Sequence, residues 1–498
     1  MGQKTVCVIG AGVGGLAVAL RLRARGYRVV VLEQQATAGG KMAQLQLGDY
    51  RFDRGPSLLT LPHLLDELFA LFGRRRSDYL PIVQLEATAR YFFSDGLVLQ
   101  AWSDPDRFRQ EVAAAGLPAD RLADYLRQQA FLYTHTADFF LFSSLHRWQS
   151  YVGEGGRKSL RALPSLDAWR TMHRRNRSTF GDSALTQLFD RYATYNGSNP
   201  YKAPATLNMI AHLEHHTGAW FPKNGMHAVV QALQTLAEEQ GVEFQFSTRV
   251  RGLRTQRSKV VGVETPVGVV EADWVVSNVD VTAFYRDLLP DKRRYRRLSR
   301  RERSSSALIF YWGLRLQSSL EVHNLLFSAD YKAEFDHLFK YKTLAEDLSV
   351  YIFISKKVVP GAAPEGCENW FVMVNAPEDV GQDWKRLTAR VREIVLAKIK
   401  AVLAIDVEQV LEEEAVVTPV DIARETGSVN GSLYGHSSNS PLAAFLRPAN
   451  FSSRYKNLYF SGGSVHPGGG IPLCLASARI VDELLMEKEK DNIKGTPL

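Results

Sequence analysis

The chain has 498 residues, 45% of them hydrophobic and 23% charged, with a formal net charge of +8. That length exceeds one simple core and predicts two or three domains, while the composition excludes a disordered or fibrous chain. Three scattered cysteines, Cys7, Cys367 and Cys474, exclude a disulfide framework and predict a reducing compartment, and no run approaches the ~20 apolar residues that span a bilayer.

The first forty residues carry the strongest local signal. An apolar run, Thr5–Ile9, reads as a strand that enters Gly10-x-Gly12-x-x-Gly15. A helix follows through Leu16, Ala17, Leu20 and Leu22, and a second apolar run, Arg28–Leu32, ends in Glu33. Strand, glycine triplet, helix, strand and acid in this register predict a βαβ dinucleotide-binding unit. Gly10 allows the tight turn, Gly12 lets backbone approach a pyrophosphate, and Gly15 lets the helix pack close to the sheet. Gly14 lies in the same turn, at a helix N-terminus whose free N–H groups favour an anion. Glu33 stands where a carboxylate accepts hydrogen bonds from an adenosine ribose. Lys4 followed by an apolar stretch has the outline of a signal peptide, but the glycines and the immediate second strand favour the nucleotide unit. The position of the unit at the N-terminus, with Gly39-Gly40-Lys41 close behind Glu33, resembles the FAD-binding signature of the glutathione-reductase/amine-oxidase superfamily.

Further along, residues 131–142 form an aromatic stretch that reads as a buried helix or, alternatively, as a segment dipping into a membrane surface. His212, His215 and His216 surround Glu214. The spacing does not match a metalloprotease helix and no cysteine or aspartate cluster joins it, so no metal is expected. Residues 241–280 read as short strands with a turn at 257–259, ending in an apolar strand and Ser-Asn-Val-Asp. The densest basic run, 292–303, predicts a solvated surface or attraction to anionic lipid headgroups. No nucleic-acid module accompanies it, so nucleic acid is not an expected partner. No Gly-x-Ser-x-Gly elbow supports a hydrolase. Near the C-terminus an apolar strand enters a glycine-rich loop, Ser461 to Gly470, and then a helix from about Pro472. Such a loop lets backbone lie against a flat ligand, and the helix end offers donors to a charge that develops there.

These pieces predict an α/β fold with a discontinuous Rossmann-like FAD-binding domain, built from 1–90, 225–284 and 421–498. An α+β substrate domain is expected from 91–224 and 285–420.

Residues 10–41, Phe52-Asp53-Arg54-Gly55-Pro56, 218–226 and Gly462-Gly463-Ser464-Val465-His466-Pro467-Gly468-Gly469-Gly470-Ile471-Pro472 together resemble the bacterial carotenoid desaturases, the phytoene-desaturase-like flavoproteins, over nearly the whole chain. Typical phytoene desaturases read G-A-G-T-H-P-G-A-G-I-P in the last motif. The variant here, together with residues 191–210, is more similar to the hydroxycarotenoid 3,4-desaturase branch. The resemblance implies non-covalent FAD that takes a hydride at N5 from an acyclic C40 carotenoid in an apolar tunnel. A weak base then removes the neighbouring proton, so no strongly perturbed acid or base is required. The implied reaction is 3,4-desaturation of a 1-hydroxycarotenoid. The alternatives are a phytoene desaturase introducing several double bonds, or a carotenoid cis–trans isomerase; a non-catalytic carrier fits the complete glycine motifs less well. Implied cofactor-binding residues are Gly10, Gly12, Gly14, Gly15, Glu33, Gly40, Lys41, Arg54, Gly55, Pro56, Val250, Gly462, Gly463, Ser464, Gly470 and Ile471. Among these, Glu33 is expected at the ribose, Val250 at the adenine, Lys41 near the phosphates, and Arg54, Gly55 and Pro56 at the flavin, with Trp220, Phe221, Pro222 and Gly225 in a loop over it. His466 is read as packing near the ring, with a catalytic role as the alternative. A lipid-borne polyene implies a cytoplasmic protein at the inner face of the cell membrane, with quinone or oxygen as electron acceptor.

Overall fold

The structure is a computed structural model that describes residues 3–153, 155–157 and 167–494; residues 1–2, 154, 158–166 and 495–498 of the expected pieces lie outside the described residues. Its first layer is a five-stranded sheet in the order Leu458–Phe460, Trp274–Ser277, Thr5–Ile9, Arg28–Leu32, Glu243–Gln245. All four pairings are parallel. The strands are apolar almost throughout because both faces are covered, as parallel sheets require. Val6, Val8, Val29, Val31 and Val276 face helices Val13–Ala24, Ala228–Glu239 and Ile471–Lys494. Cys7, Ile9, Val30, Leu32 and Val275 face a three-stranded antiparallel sheet through Val260 and Val263, with Phe284 and Phe460. Each such side chain taken fully from water contributes about 1.5–3 kcal/mol. Pieces far apart in sequence are therefore fastened by one continuous apolar layer.

A seven-stranded sheet forms the second layer, in the order Leu411–Val417, Ser306–Leu314, Glu368–Ala376, Val350–Ile354, His323–Leu326, Ala87–Phe92, Val98–Trp102. Its alternation is strict. Leu308, Phe310, Trp312, Val350, Ile352, Ile354, Trp370, Val372 and Val374 point into a core shared with helices Ala119–Phe140, Ala184–Asp190 and Trp384–Leu403. Ile309, Tyr311, Tyr351, Phe353, Phe371 and Met373 point the other way, into the core that also holds helix Val13–Ala24. This period of two gives the sheet one face for its own helices and one for the nucleotide layer.

The strand Ala87–Phe92 spans the expected boundary at residue 90 and belongs to the second sheet. Residues 131–142 run through helix Ala119–Phe140 and the turn after it. Leu132, Thr136, Ala137 and Phe139 are buried and Phe131 is exposed, so the aromatic stretch packs as a half-buried helix. The basic run divides. Helix Lys292–Ser299 is capped by Asp291, which accepts from the Arg294 N–H. Arg303 has left that surface and is buried against Asp280 at 3.2 Å. Among the described residues, no helix is long and apolar enough to cross a membrane.

Candidate functional site

The glycine turn sits at the carboxyl edge of the parallel sheet. Gly10 has φ +98°, and a Cβ at Gly15 would stand 2.0 Å from the Gly10 carbonyl oxygen, so only glycine lets the helix seat here. Helix Val13–Ala24 begins at Gly12, which brings no side chain to cap it. Its first N–H groups therefore keep their capacity for a ligand, together with the positive end of the dipole. Glu33 is buried; its carboxylate accepts from the Ala11 N–H (2.7 Å) and the Gln35 N–H (2.9 Å). Two charge-assisted bonds fix the acid beside the turn and leave it lone pairs for a hydroxyl. The Thr248 N–H donates to the Glu33 carbonyl at 2.8 Å, which places Val250, two residues on and buried, on the same rim.

Two further segments close over this turn. Gly39 bridges to Gly12 and donates to the Ala11 carbonyl at 3.0 Å, and a Cβ at Gly40 would lie 3.6 Å from the Gly12 Cα. A Cβ at Gly55 would come within 1.9 Å of the Lys41 carbonyl oxygen. The Lys41 ammonium donates to the Leu433 carbonyl at 2.6 Å. Arg54 pairs with Glu425. Buried Asp53 accepts from the His227 N–H at 3.0 Å and so pins the loop that carries Trp220, Phe221, Pro222 and Gly225. Burial raises the Asp53 carboxyl, and the Met226 and His227 amides oppose that rise.

The C-terminal loop lies against the same turn. A Cβ at Gly14 would meet the Gly462 Cα at 2.9 Å, and Cβ atoms at Gly12 and Gly462 would meet the Asn278 carboxamide at 2.6 and 2.3 Å. Asn278 Nδ2 donates to the Ser461 carbonyl at 2.7 Å, and the Ser461 hydroxyl donates to the Gly14 carbonyl at 3.0 Å. Buried Arg447 donates to the carbonyls of Tyr434 (2.9 Å) and Gly463 (3.3 Å), and its burial lowers its pKa to about 10. Asn450 Nδ2 reaches the His466 carbonyl at 2.7 Å and Ser477 Oγ at 2.9 Å. Ser464 Oγ accepts from the Val281 N–H at 3.0 Å. A Cβ at Gly470, just before buried Ile471, would meet nothing within 4 Å. Backbone thus lines a space that a flat, phosphate-bearing cofactor fits: glycine where chains touch, open room at Gly470, and uncapped N–H groups at the helix end.

The opposite wall is made of side chains. Tyr351, Phe353, Phe371, Met373, Tyr311 and Ile309 present an aromatic and apolar face toward these loops, and Phe353 packs on Phe221 with ring centroids 5.6 Å apart. One end of the wall carries a buried polar cluster. Arg191 donates to the hydroxyls of Tyr91 (2.7 Å) and Tyr195 (3.3 Å). Tyr195 and Tyr192 donate to the Glu214 carboxylate at 2.5 and 3.2 Å, and the Tyr192 hydroxyl oxygen is 2.8 Å from His215 Nε2. Burial pushes the Glu214 carboxyl up, but Arg191 and His215 outweigh it and hold it below the usual range.

The histidines part company. His212 and His216 stack on each other at 4.6 Å, while Glu214 and His215 enter the polar cluster. Among the described residues there is no group of three or more ligating side chains that could hold a metal ion. His466 is buried, with Nε2 at 2.9 Å from the Ser143 carbonyl, and burial lowers it to about 4. It anchors the loop to the turn after helix Ala119–Phe140. Asn278, Arg447 and Asn450 hold the site together yet carry no periodic sequence signal. Asn278 alone has a positional one, since it follows the strand Trp274–Ser277.

A family model described as flavin containing amine oxidoreductase matches residues 13–481. The chain is 45% identical over 485 residues to a 1-hydroxycarotenoid 3,4-desaturase of a Flavobacterium species, covering 97% of this chain and 99% of that protein. It is 34% identical to a zeta-carotene-forming phytoene desaturase of Myxococcus xanthus, covering 97% and 94%. Among solved structures, an oxidoreductase from Methanosarcina mazei is similar at a TM-score of 0.64 and 15% identity, covering 97% of this chain and 100% of that one. A putrescine oxidase variant is similar at a TM-score of 0.63 and 14% identity, covering 99% of each. These two likenesses concern the fold.

Proposed function

The chain belongs to the flavin-containing amine oxidoreductases and, among them, to the carotenoid desaturases, and from that premise we infer that it removes two hydrogens at C3–C4 of an acyclic C40 carotenoid with a 1-hydroxy end group. The observation that carries the substrate is the full-length match, 45% identical, to a 1-hydroxycarotenoid 3,4-desaturase. The cradle supports FAD as the flavin. Glu33 would receive the ribose hydroxyls, the N–H groups after Gly12 the pyrophosphate, and the loop through Gly462, Gly463, Ser464 and Gly470, with Ile471 at the helix start, the ring. Val250 would border the adenine, and Gly40, Lys41, Arg54, Gly55 and Pro56 would close the opposite rim. Bound flavin supplies a hydride acceptor.

The chain's own part is to bind, orient and keep water out. The wall of Phe353, Phe371, Met373 and Ile309 suits a polyene, whose cation after hydride loss needs only a weak base. The electrons pass on to oxygen or to a quinone. In this reading 1–90, 225–284 and 421–498 serve the cofactor and 91–224 and 285–420 the substrate.

The same reading places the protein on the inner face of a membrane, where its substrate dissolves. Leu442 is 72% exposed and Trp148 69%. Phe445, three residues after Leu442, packs on Phe140 at 4.7 Å, and Arg301, just past the basic helix, donates to the Leu446 carbonyl at 3.3 Å, which joins the basic run to this apolar edge. Apolar anchors beside cations favour an anionic bilayer surface.

The test is to give the flavin-loaded protein a 1-hydroxy acyclic carotenoid and phytoene separately. The hydroxylated substrate should become lighter by two hydrogens and absorb further to the red. Multi-step conversion of phytoene with the hydroxylated compound untouched, or isomerisation without loss of mass, would overturn the assignment.

A further inference from the structure

We propose that His323 is the residue that reads the hydroxyl of the substrate's end group, with Tyr351 setting its orientation. The proposal rests on the desaturase reading and names the group that gives it specificity. It begins with a constraint from the substrate. The carbinol carbon is two bonds from C3, so the hydroxyl oxygen lies within roughly 5 Å of the reacting carbons at ordinary single-bond lengths. Those carbons must approach the hydride acceptor closely. A group that reads the hydroxyl must therefore border the cofactor site.

Tyr195, Ser198 and Asn199, in the polar segment 195–199, do not supply it. Ser198 Oγ accepts from the Ser438 N–H at 2.9 Å, Asn199 Oδ1 accepts from the Tyr201 N–H at 2.8 Å, and the Tyr195 hydroxyl is held by Glu214. Ser198 and Asn199 brace loops.

His323 is placed differently. It is 3% exposed and lies directly across from Phe353 in the antiparallel pairing of His323–Leu326 with Val350–Ile354. Phe353 packs on Phe221, in the loop pinned by Asp53. The His323 ring stacks on Phe353 at 5.3 Å and on Tyr351 at 6.0 Å. Its Nδ1 is 2.7 Å from the Tyr351 hydroxyl, which is 2.6 Å from Ser57 Oγ. Ser57 directly follows Arg54, Gly55 and Pro56. Through Tyr351 and Phe353 the ring is thus linked to Ser57 on one side and to the Phe221 loop on the other.

Its other nitrogen, Nε2, is buried and has no hydrogen-bond partner. A buried polar atom without a protein partner is costly, so Nε2 calls for a partner from outside the chain, and a substrate hydroxyl can be that partner. The chemistry matches a hydroxyl. If Tyr351 donates to Nδ1, Nε2 carries the proton and donates to the substrate oxygen. If Tyr351 donates to Ser57, Nδ1 carries the proton and Nε2 accepts from the substrate hydroxyl. A hydroxyl serves in either case and a hydrocarbon in neither. Burial lowers the imidazole to about 3, so it meets the substrate neutral.

The experiment uses the full-length, flavin-loaded protein, with a 1-hydroxy acyclic carotenoid and its 1-deoxy counterpart presented in the same liposomes. Affinity, kcat/KM and flavin content are measured for wild type, His323→Leu, His323→Gln and Tyr351→Phe. His323→Leu should lose roughly 10- to 100-fold in affinity and kcat/KM for the hydroxylated compound, the scale of one buried hydrogen bond. Its values for the deoxy compound should move far less. His323→Gln should recover part of the loss, since its amide offers both a donor and an acceptor. Tyr351→Phe should weaken the preference without abolishing it. Equal losses on both compounds at unchanged flavin content, or a preference that survives His323→Leu, would overturn the proposal. If His323→Leu fails to fold, an unchanged preference in both His323→Gln and Tyr351→Phe overturns it, and a reduced one supports it. His323-dependent binding without hydrogen loss would refute desaturation and leave the recognition standing. Hydrogen loss from both compounds at equal efficiency would do the reverse.

Discussion

The two sides of the site are built from different materials. On the nucleotide side the closest approaches are backbone to backbone: Gly14 on Gly462, Gly55 on the Lys41 carbonyl, Gly39 on Gly12. On the sheet side they are side chain to side chain: Phe353 on Phe221, Tyr351 on His323, Arg191 on three tyrosine rings. In the proposed reading a backbone cradle recognises what every flavin nucleotide shares, and it tolerates little except glycine. A side-chain wall can be rebuilt one residue at a time, and there one desaturase can come to differ from another.

The sharpest break in this contrast is Gly12→Val. The new Cβ would stand 2.6 Å from Asn278 Oδ1, and the rest of the side chain would fill the space proposed for the pyrophosphate. Flavin absorbance should vanish from the purified protein, and retention of the cofactor at wild-type affinity would refute the cradle. On the wall, Arg191→Leu strips Glu214 of its buried cation. Stability should fall by about 3–5 kcal/mol, the cost of leaving one buried charge alone. Urea unfolding measures it, and the flavin affinity of the folded fraction should hold.

Glu33→Ala sharpens the cradle side. Losing a charge-assisted acceptor should weaken flavin binding by about 1.5–3 kcal/mol, read by titration of the apoprotein. Buried histidines on both sides of the site add a pH dependence. Burial lowers His323 and His436 to about 3 and His466 to about 4. Below the unfolded value near 6.5 the unfolded chain binds protons that the folded chain refuses. Stability is full above that pH and falls as the pH drops toward 4. Each histidine contributes about 1.4 kcal/mol per pH unit in that window. Replacing His323 by Gln should flatten the slope of the urea midpoint against pH. Smallest is the membrane term: replacing Arg293, Arg296, Arg297 or Arg300 by Gln should each remove about 1 kcal/mol of binding to anionic liposomes, and only at low salt. Pelleting at 50 mM and 500 mM salt would measure it.

The same contrast explains what the sequence could say. Gly10, Gly12, Gly15 and Glu33 were legible because a turn, a helix seat and an acid recur at fixed spacing, and the strands beside them are apolar runs of the expected length. Gly462 to Gly470 were legible for the same reason, as glycines between a strand and a helix. Asn278, Arg447 and Asn450 were not, because each acts through tertiary contacts that follow no sequence period: Asn278 reaches Ser461 far along the chain, and Arg447 and Asn450 reach the carbonyls of Gly463 and His466 in the glycine loop. The aromatic face of the second sheet was equally hidden: Tyr351 and Phe353 read as ordinary strand residues until Val350–Ile354 finds its place between two partners. Ser198 and Asn199, in the polar group most visible in sequence, are engaged in holding loops. His323, whose buried Nε2 has no hydrogen-bond partner, lay in a stretch with no motif.

The most direct measurement is an anaerobic single turnover. Flavin-loaded protein is mixed with excess 1-hydroxy acyclic carotenoid, quenched, and the pigments weighed by mass spectrometry. One product molecule, lighter by two hydrogens, is expected per bound flavin, with no more until an oxidant is admitted. A product of unchanged mass, or product well beyond the flavin present, would contradict a flavin-dependent desaturase.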